Sequence, residues 1–173
     1  MTDLISDEYR SLNQRLHRQR ADYGKRGHRH ATEVQMLLRK LRAATVLDYG
    51  AGKATLADRL LRAGIKVTSY DPCIPELSAE PDPHDIVVCT DVLEHVEPDY
   101  LPATLRRLRS LTRVAAYICV CTELDGGKTL PDGRDPHQIV WPAEVWQASL
   151  AAHYSEATLV RETARDAVIV CRP

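Results

Sequence analysis

Residues 45–52, TVLDYGAG, decide the fold of this chain of 173 residues. The apolar and β-branched residues before the glycines predict a short buried strand, and Gly50 and Gly52 predict a tight turn after it. An amphipathic helix follows, and residues 65–70, IKVTSY, predict a second strand that ends at Asp71. Such a turn lets the backbone approach a ligand at a helix N-terminus, and a carboxylate 19 positions after Gly52 suits the binding of ribose hydroxyls. The pattern predicts a nucleotide-type binding site.

The rest of the chain alternates between strand-like and helix-like segments. Short apolar runs bounded by turn residues predict strands, and leucines at helical spacing predict the helices between them. The predicted segments are a strand at 86–89, a helix opened by Pro98, a strand at 114–120, a helix opened by Pro142, and strands at about 155–161 and 167–172. The alternation predicts an α/β fold with a doubly wound, mostly parallel sheet, and the short link between the last two strands predicts a final antiparallel hairpin.

Two amphipathic segments precede the glycine turn. Apolar residues recur at helical spacing over residues of about 3–20 and again over residues of about 29–43, with a break that contains two glycines between them. The length suits one domain. We therefore expect a single domain in which a helical cap, residues 1–44, covers a core of residues 45–173.

The segment after Asp71 is unusually short. Only 14 residues separate Asp71 from Ile86, and four of them are prolines. A right-handed crossover takes at least about 10–12 residues before any strand is counted. We therefore expect that the sheet lacks an edge strand after Asp71.

Charge is divided unevenly along the chain, although the formal net charge is only −1. Residues 10–42 carry ten Lys and Arg against two carboxylates, whereas residues 71–99 carry nine carboxylates and neither Lys nor Arg. This division predicts a positive surface near the N-terminus and a negative pocket in the middle of the chain. The basic segment is interpreted either as a solvated helical face or as a surface for an anionic substrate or nucleic acid.

Composition excludes several classes of protein. Hydrophobic residues make up 44% and charged residues 27%, which excludes collagen-like and wholly disordered chains. No apolar run approaches about 18 residues, so neither a membrane span nor a membrane partner is expected. The first residues lack the basic and apolar regions of a secretory signal, and the number of cysteines, five, is odd. Both features predict a cytoplasmic protein with reduced thiols.

Three motifs resemble, in order and spacing, those of the class I S-adenosylmethionine-dependent methyltransferases. Residues 46–52, VLDYGAG, resemble the first motif, and residues 70–72, YDP, resemble the second. Residues 85–96, DIVVCTDVLEHV, are similar to the strand and turn of the branch that methylates quinones, small metabolites and some RNAs. The resemblance covers about residues 45–173 and implies a Rossmann-like sheet that binds S-adenosylmethionine. A dinucleotide fingerprint would need a third glycine that residues 50–55 lack, which disfavours an NAD-dependent enzyme.

The resemblance also implies which residues bind the cofactor. Residues of the glycine turn would pack against its methionine part, Asp71 would take the ribose hydroxyls, and the end of the third strand would lie near the sulfonium. The break between the two N-terminal helices would fold over the site. The implied cofactor-binding residues are Tyr23, Asp48, Gly50, Ala51, Gly52, Asp71, Pro72, Cys89, Thr90 and Asp91.

Acids and imidazoles after the third strand, and the polar loop of residues 122–140, are candidates for the chemistry. Methyl transfer needs alignment, together with a base when the acceptor carries a proton, and histidine suits that role near neutral pH. The candidate catalytic residues are Asp91, Glu94, His95 and His137, and the candidate substrate-binding residues are Arg26, Arg134, His137 and Trp141. For Trp141, an apolar anchor of the last helix is the alternative.

Glu94, His95 and His137 are also candidate ligands of a divalent metal, because carboxylates and imidazoles together can hold such an ion. With Asp91, they resemble the metal site of the small-RNA 3′-end 2′-O-methyltransferases, where a metal orients the ribose hydroxyls. An ordinary pocket role for the Glu-His turn is the simpler alternative.

The resemblance and the charge pattern together predict a methyltransferase. We expect methyl transfer from S-adenosylmethionine to an O or N atom of a small or anionic acceptor, such as a nucleotide, an RNA end or a carboxylated metabolite. Two alternatives stay open. One is a non-catalytic module that binds S-adenosylmethionine for regulation, and the other is a metal-assisted RNA ribose 2′-O-methyltransferase.

Overall fold

A computed structural model describes residues 4–127 and 129–173, and a six-stranded sheet lies at its centre. The strands are β1 Thr45–Tyr49, β2 Lys66–Tyr70, β3 His84–Thr90, β4 Thr112–Cys121, β5 Glu156–Glu162 and β6 Asp166–Arg172. Their order across the sheet is β2-β1-β3-β4-β6-β5. The pairs among β1 to β4 are parallel, whereas β6 runs antiparallel to both β4 and β5. The predicted α/β fold, with its mostly parallel sheet and final hairpin, is confirmed.

Helices cover both faces of this sheet. They are α1 Asp7–Gln19, α2 Ala31–Leu41, α3 Thr55–Arg62, α4 Leu101–Leu111 and α5 Ala143–Ala151. On one face, α4 and α5 bury Leu105, Leu108 and Trp146 against the strands. On the other face, α2 and α3 bury Val34 and Leu56. The two faces form separate apolar clusters, as expected of a doubly wound fold.

The sheet ends at β2, as the shortness of the segment after Asp71 predicted. Every residue between β2 and β3 is described, and the only regular element there is a 3₁₀ turn, Pro75–Leu77. The backbone N–H of Asp71 donates to the carbonyl of Leu77 over 2.9 Å, which folds the segment back onto the strand end. The chain therefore returns to β3 by a compact turn and adds no outer strand.

Several element boundaries differ from the sequence prediction for local reasons. The helix expected over residues 3–20 begins at Asp7, because the Ser6 hydroxyl accepts a hydrogen bond from the N–H of Tyr9 and caps it; residue 3 lies outside the described range. The helix opened by Pro98 starts as a 3₁₀ turn and becomes α-helical at Leu101. These differences leave the order of the elements unchanged.

The N-terminal helix α1 lies over the carboxyl edge of the sheet. Its buried residues Leu12 and Leu16 pack with Tyr23 and with Leu130 of the loop between β4 and α5. A 3₁₀ turn, Arg26–His30, then leads into α2. Among the helices of residues 4–127 and 129–173, none has both the length and the apolar character needed to cross a membrane.

Candidate cofactor and acceptor site

A cavity opens where the carboxyl ends of β1, β2 and β3 meet the inner face of α1. Its volume is about 1200 Å³ when the open mouth is included. The glycine turn after β1, Asp71 after β2 and the residues after β3 form its floor, and α1 with the following loop forms its roof. In open α/β sheets, ligands bind in the crevice at the carboxyl ends of the strands, so this cavity is the candidate site.

The glycine turn brings backbone rather than side chains to the cavity wall. Gly50 has φ +77°, and a Cβ atom there would overlap the side chain of Val92. Gly52 has φ +53°, and a Cβ atom there would lie 2.6 Å from the carbonyl oxygen of Gly24. The N–H groups of Gly50 and Ala51 donate to the carbonyl of Tyr70, at 2.8 and 3.0 Å, and fix the turn against β2. Only glycine combines these φ values with so close an approach.

Asp71 lies at the end of β2 with both carboxylate oxygens bound to backbone. Its Oδ2 accepts from the N–H of Gly52 at 3.0 Å, and its Oδ1 accepts from the N–H of Cys73 at 2.9 Å. Each oxygen of a carboxylate can accept two hydrogen bonds, so one site on each is left for a ligand. The arrangement holds a carboxylate in place beside the glycine turn, as the binding of two vicinal hydroxyls requires.

Asp48 is buried on the floor of the cavity. Burial raises the pKa of its carboxyl group to about 7, and a hydrogen bond from the backbone of Ala57 offsets part of that effect. Its Oδ2 has no hydrogen-bond partner. A positively charged ligand group beside Asp48 would favour the ionised carboxylate and give this oxygen a partner.

Asp91 adopts a backbone conformation that is rare outside glycine. Its φ is +55°, and its N–H donates to the carbonyl of Cys119 at 3.0 Å. Burial raises the pKa of its carboxyl group, and the positive charge of Arg26 acts in the opposite direction. Asparagine and aspartate tolerate left-handed conformations best, and such strain is concentrated at functional sites.

Glu94, His95 and His137 come together at one end of the cavity, although 41 residues separate the two histidines. One potential ligand atom of each lies within 4.8 Å of the others, and the two imidazole rings meet edge to face with centroids 4.8 Å apart. The main chain joins the two segments, because the N–H groups of Gln138 and Ile139 both donate to the carbonyl of Glu94, at 2.7 and 3.0 Å. We call these three residues the triad.

Both imidazoles of the triad are oriented by carbonyl groups. The Nδ1 atom of His95 lies 3.0 Å from the carbonyl oxygen of Pro136, and that of His137 lies 2.6 Å from the carbonyl oxygen of Glu123. A carbonyl only accepts, so each Nδ1 carries a proton, and the neutral ring then has its lone pair on Nε2. Metal-binding histidines use the same second bond to fix ring and tautomer.

Glu94 is the most deeply buried acid of the site, with an exposed fraction of 0%. Its Oε1 accepts from the N–H of Cys121 at 3.0 Å, whereas its Oε2 has no partner. Burial raises the pKa of its carboxyl group to about 8, and the negative charge of Asp91 adds to that effect. A group of this kind either holds a proton or meets a cation.

Unpartnered polar atoms concentrate at this cavity. In residues 4–127 and 129–173, four buried side-chain N or O atoms have no hydrogen-bond partner, and three belong to residues that line it. Buried polar atoms are nearly always paired, so such a concentration indicates a place for a ligand. The three are His17 Nδ1, Asp48 Oδ2 and Glu94 Oε2.

The cavity is acidic inside. Among the lining residues that the structure describes, acidic side chains outnumber Lys and Arg by seven to two, which favours a cationic ligand group or a metal ion. The seven acids are Asp22, Asp48, Asp71, Asp91, Glu94, Glu97 and Asp125, and the two cations are Lys25 and Arg26.

Most of the residues singled out from the sequence line this one cavity. Among the implied cofactor-binding residues, these are Tyr23, Asp48, Gly50, Ala51, Gly52, Asp71, Pro72, Thr90 and Asp91. Among the other candidates, they are Arg26, Glu94, His95 and His137.

Three predicted site residues lie elsewhere. Cys89 is fully buried in the core beneath the cavity, because its side chain points to the face that α4 covers. Arg134 is exposed and forms ion pairs with Asp132 and Glu8. Trp141 packs against Trp146 with ring centroids 4.9 Å apart, which matches its alternative interpretation as an apolar anchor.

Sequence reasoning missed the part of the site that α1 contributes. Tyr9, Asn13 and His17 all line the cavity and follow one another at intervals of four residues. Residues four apart lie on the same helix face, so this stripe of hydrogen-bonding groups within an apolar face was the available signal. Asp125 was missed as well, and its Oδ2 lies 3.9 Å from Nε2 of His137.

Comparison with known proteins identifies a family for this chain. A family described as a methyltransferase domain matches residues 15–161. No curated protein sequence matches the chain.

Solved structures share the fold at low sequence identity. The 1,6-didemethyltoxoflavin-N1-methyltransferase of Burkholderia thailandensis, with bound S-adenosylhomocysteine, is 18% identical and has a TM-score of 0.67 over 99% of this chain and 92% of its own. The complex of DhpI with S-adenosylhomocysteine is 18% identical, with a TM-score of 0.68 over 97% of this chain and 98% of its own. The methyltransferase domain of bacterial CtHen1-CN is 16% identical, with a TM-score of 0.61 over 84% of this chain and 98% of its own. With its fold, its glycine turn and the family match over most of its length, the chain belongs to the methyltransferase-domain family of the S-adenosylmethionine-dependent class I superfamily.

Proposed function

We propose that this methyltransferase transfers the methyl group of S-adenosylmethionine to an O or N atom of a small acceptor bound beside the triad. The observation that carries the proposal is the meeting, in one cavity, of the glycine turn, Asp71 and two imidazoles whose Nδ1 atoms are bound to carbonyl groups. Residues 1–44 act as the cap and residues 45–173 as the cofactor-binding core. The five buried free cysteines favour a reducing compartment, the cytoplasm.

S-adenosylmethionine supplies an activated methyl carbon, so the protein's contribution is binding, alignment and removal of a proton. Asp71 accepts the ribose hydroxyls, the backbone of Gly50 and Gly52 lies along the methionine part, and Asp48 faces its ammonium group. The acidic wall favours the sulfonium cation. All four residues line the cavity, and the Oδ2 atom of Asp48 has no partner within the described part of the protein.

The triad removes the proton of the acceptor during methyl transfer. When the acceptor lone pair attacks the methyl carbon, the bond from that carbon to sulfur breaks, and a protonated acceptor must lose its proton. His95 is the proposed base, because its Nδ1 proton is bound to the carbonyl of Pro136, which places the lone pair of the neutral ring on Nε2. His137 lies beside it in the same tautomer and is the second candidate base.

For an anionic acceptor, the charge pattern favours one orientation. Acids dominate the described lining of the cavity, whereas the cations Lys25 and Arg26 belong to the loop after α1 that forms part of the roof. A phosphate or carboxylate of the acceptor therefore lies beside that loop, and its uncharged hydroxyl or amine reaches the triad. This orientation suits a nucleotide, an RNA end or a carboxylated metabolite.

A second candidate function is metal-assisted transfer to a ribose hydroxyl. The specific observation in its favour is the unpartnered Oε2 of the fully buried Glu94, beside two imidazoles whose Nδ1 atoms are bound to carbonyl groups. A mixed carboxylate and imidazole set suits divalent transition metals such as Mn²⁺. Glu94, His95 and His137 would hold the ion, which would lower the pKa of a bound hydroxyl.

The test is methyl transfer from S-adenosylmethionine labelled on the methyl group. The acceptors are nucleotides, short RNAs with either a ribose or a deoxyribose at the 3′ end, and carboxylated metabolites, each with Mn²⁺ or with EDTA. We expect incorporation into one class and a loss of about 100-fold in His95→Gln, with His153→Gln, outside the cavity, as the control. Activity that survives EDTA supports base catalysis by the triad, and activity that needs both Mn²⁺ and a 3′-terminal ribose supports the second candidate. Tight cofactor binding without transfer to any acceptor would favour the regulatory module instead.

A further inference from the structure

A hydroxyl group and a ring N–H group from two different elements donate to the same carbonyl oxygen next to the triad. The hydroxyl of Tyr9, on α1, donates to the carbonyl of Pro136 at 3.1 Å. Nδ1 of His95, in the turn after β3, donates to the same oxygen at 3.0 Å. A carbonyl oxygen has two lone pairs, so these two donors use its full capacity.

The peptide group that carries this carbonyl also leads into His137. Its N–H, which belongs to His137, donates to Oδ1 of Asp135 at 2.8 Å, and the His137 ring is bound to the carbonyl of Glu123. One peptide group therefore lies between the two imidazoles of the triad. A shift of that group changes the position of both rings.

Tyr9 is held firmly enough to define the position of this peptide. Its side chain is 3% exposed, and its own carbonyl accepts from Nδ2 of Asn13 at 3.1 Å. Oδ1 of Asn13 in turn accepts from the hydroxyl of Tyr23, whose ring meets that of His95 edge to face. At the start of α1, the N–H and hydroxyl of Ser6 both donate to Glu97, at 2.9 and 2.7 Å.

We propose that Tyr9 is a positioning residue for His95, acting through the carbonyl of Pro136. By fixing that carbonyl, Tyr9 keeps His95 in the tautomer that carries its proton on Nδ1. This makes α1 a part of the acceptor site as well as its roof. The inference rests on the proposed function for the use of His95 in transfer, but the geometry that it asserts can be tested without any turnover.

The physical reason is that one donor alone leaves the carbonyl underconstrained. Without the Tyr9 hydroxyl, the buried oxygen keeps one unfilled lone pair, and the segment of residues 135–137 can turn toward another donor. His95 can then lose its Nδ1 partner, so the tautomer with the proton on Nε2 becomes accessible. Loss of one hydrogen bond of this type changes such a ratio by about 2- to 10-fold.

Tyr9→Phe removes the hydroxyl and keeps the ring, and Tyr154→Phe is the matched control. Tyr154 is also buried, and its hydroxyl bonds to the hydroxyl of Thr112 at 3.3 Å, outside the cavity. The ¹⁵N shifts of the His95 ring nitrogens are measured by NMR in the full chain, saturated with S-adenosylhomocysteine. We expect the proton on Nδ1 in wild type and in Tyr154→Phe, and a tautomer ratio shifted by about 2- to 10-fold in Tyr9→Phe.

Identical His95 shifts in wild type and Tyr9→Phe, or equal changes in both variants, would overturn the proposal. If Tyr9→Phe does not fold, proton exchange in the wild-type protein tests the proposal instead. The Tyr9 hydroxyl proton and the His95 Nδ1 proton must then both be protected from exchange with water, and fast exchange of either contradicts the shared carbonyl. These NMR measurements do not depend on methyl transfer. The positioning role of Tyr9 and the proposed function can therefore be refuted independently of each other.

Discussion

The backbone of Gly24 lies directly against the backbone of Gly52, with no side chain between them. A Cβ atom on Gly24 would come within 3.1 Å of Cα of Gly52, and a Cβ atom on Gly52 would come within 2.6 Å of the carbonyl oxygen of Gly24. That oxygen accepts a hydrogen bond of 2.8 Å from the N–H of Lys53. The segment after α1 is thus bonded to the glycine turn, so the roof of the cavity and its floor meet at this point.

The contact predicts that Gly24→Ala weakens cofactor binding. Gly24 has φ +71°, and its added methyl group would also press on the ring of His17, 3.0 Å away, and move the segment off the turn. We expect S-adenosylhomocysteine to bind about 10-fold more weakly by calorimetry, and the free energy of unfolding to fall by about 1–2 kcal/mol.

The variant Gly64→Ala distinguishes the effect of backbone strain from the effect of the contact between Gly24 and Gly52. Gly64 has φ +76°, but a Cβ atom there has nothing within 4 Å. This variant should lose a similar amount of stability and bind S-adenosylhomocysteine as the wild type does. Equal loss of binding in both variants would mean that the contact of Gly24 with Gly52 has no part in the cofactor site.

Ala54→Gly is expected to stabilise the protein. Ala54 precedes α3 with φ +53° and ψ +28°, a left-handed conformation that costs a residue with a Cβ atom about 1–2 kcal/mol. Glycine avoids that cost but loses more chain entropy on folding, so we expect a net gain of about 0.5–1 kcal/mol in urea denaturation. Ala148→Gly, at an exposed position inside α5, should instead lose about 0.5–1 kcal/mol. A loss of stability in Ala54→Gly contradicts this explanation.

The local parts of the fold and of the site could be predicted from the sequence. Local sequence pattern predicts the strand, the glycine turn and the acid after β2. The missing edge strand also follows from the sequence, because the segment between Asp71 and Ile86 is too short to hold a crossover and a further strand. The sequence also brought His95 and His137 to one edge of the sheet, since both follow strands that end there.

The sequence could not predict contacts that depend on distant backbone. The bonds from Gln138 and Ile139 to the carbonyl of Glu94 span more than 40 residues and have no periodic signal. The left-handed conformation of Asp91 accompanies a hydrogen bond from its N–H to the carbonyl of Cys119, which is distant in sequence. The shared carbonyl of Pro136 depends on the same long-range placement.

Asp48 predicts a dependence of stability on pH. Its carboxyl pKa rises from 3.8 to about 7 on folding, so between these values the folded protein binds a proton that the unfolded chain releases. The contribution of Asp48 to stability therefore falls as pH rises from about 4 to 7 and is constant above that. Asp48→Asn removes this fall and should be more stable than wild type at pH 8, by on the order of 4 kcal/mol, with little difference at pH 4.

The same variant should bind the cofactor less well, because asparagine cannot pair with its ammonium group. Asp82→Asn, at an exposed position in the turn before β3, is the control and should change neither property. Thermal unfolding at pH 4 and pH 8, with calorimetry of S-adenosylhomocysteine at pH 8, checks both parts. A stability difference that does not depend on pH would refute the assignment of the shift to Asp48.

The affinities of wild type and of Asp71→Asn for S-adenosylhomocysteine test whether this cavity is the cofactor site. Asp71 is fixed by the N–H groups of Gly52 and Cys73, and its remaining lone pairs are assigned to the ribose hydroxyls. Calorimetry should show one site per chain in the wild type and a loss of about 10- to 100-fold in affinity in Asp71→Asn, since hydrogen bonds to a charged group are worth about 1.5–3 kcal/mol. Asp82→Asn, on the surface, should bind as the wild type does. Equal affinity in wild type and Asp71→Asn, or no binding to the wild type, would contradict the account.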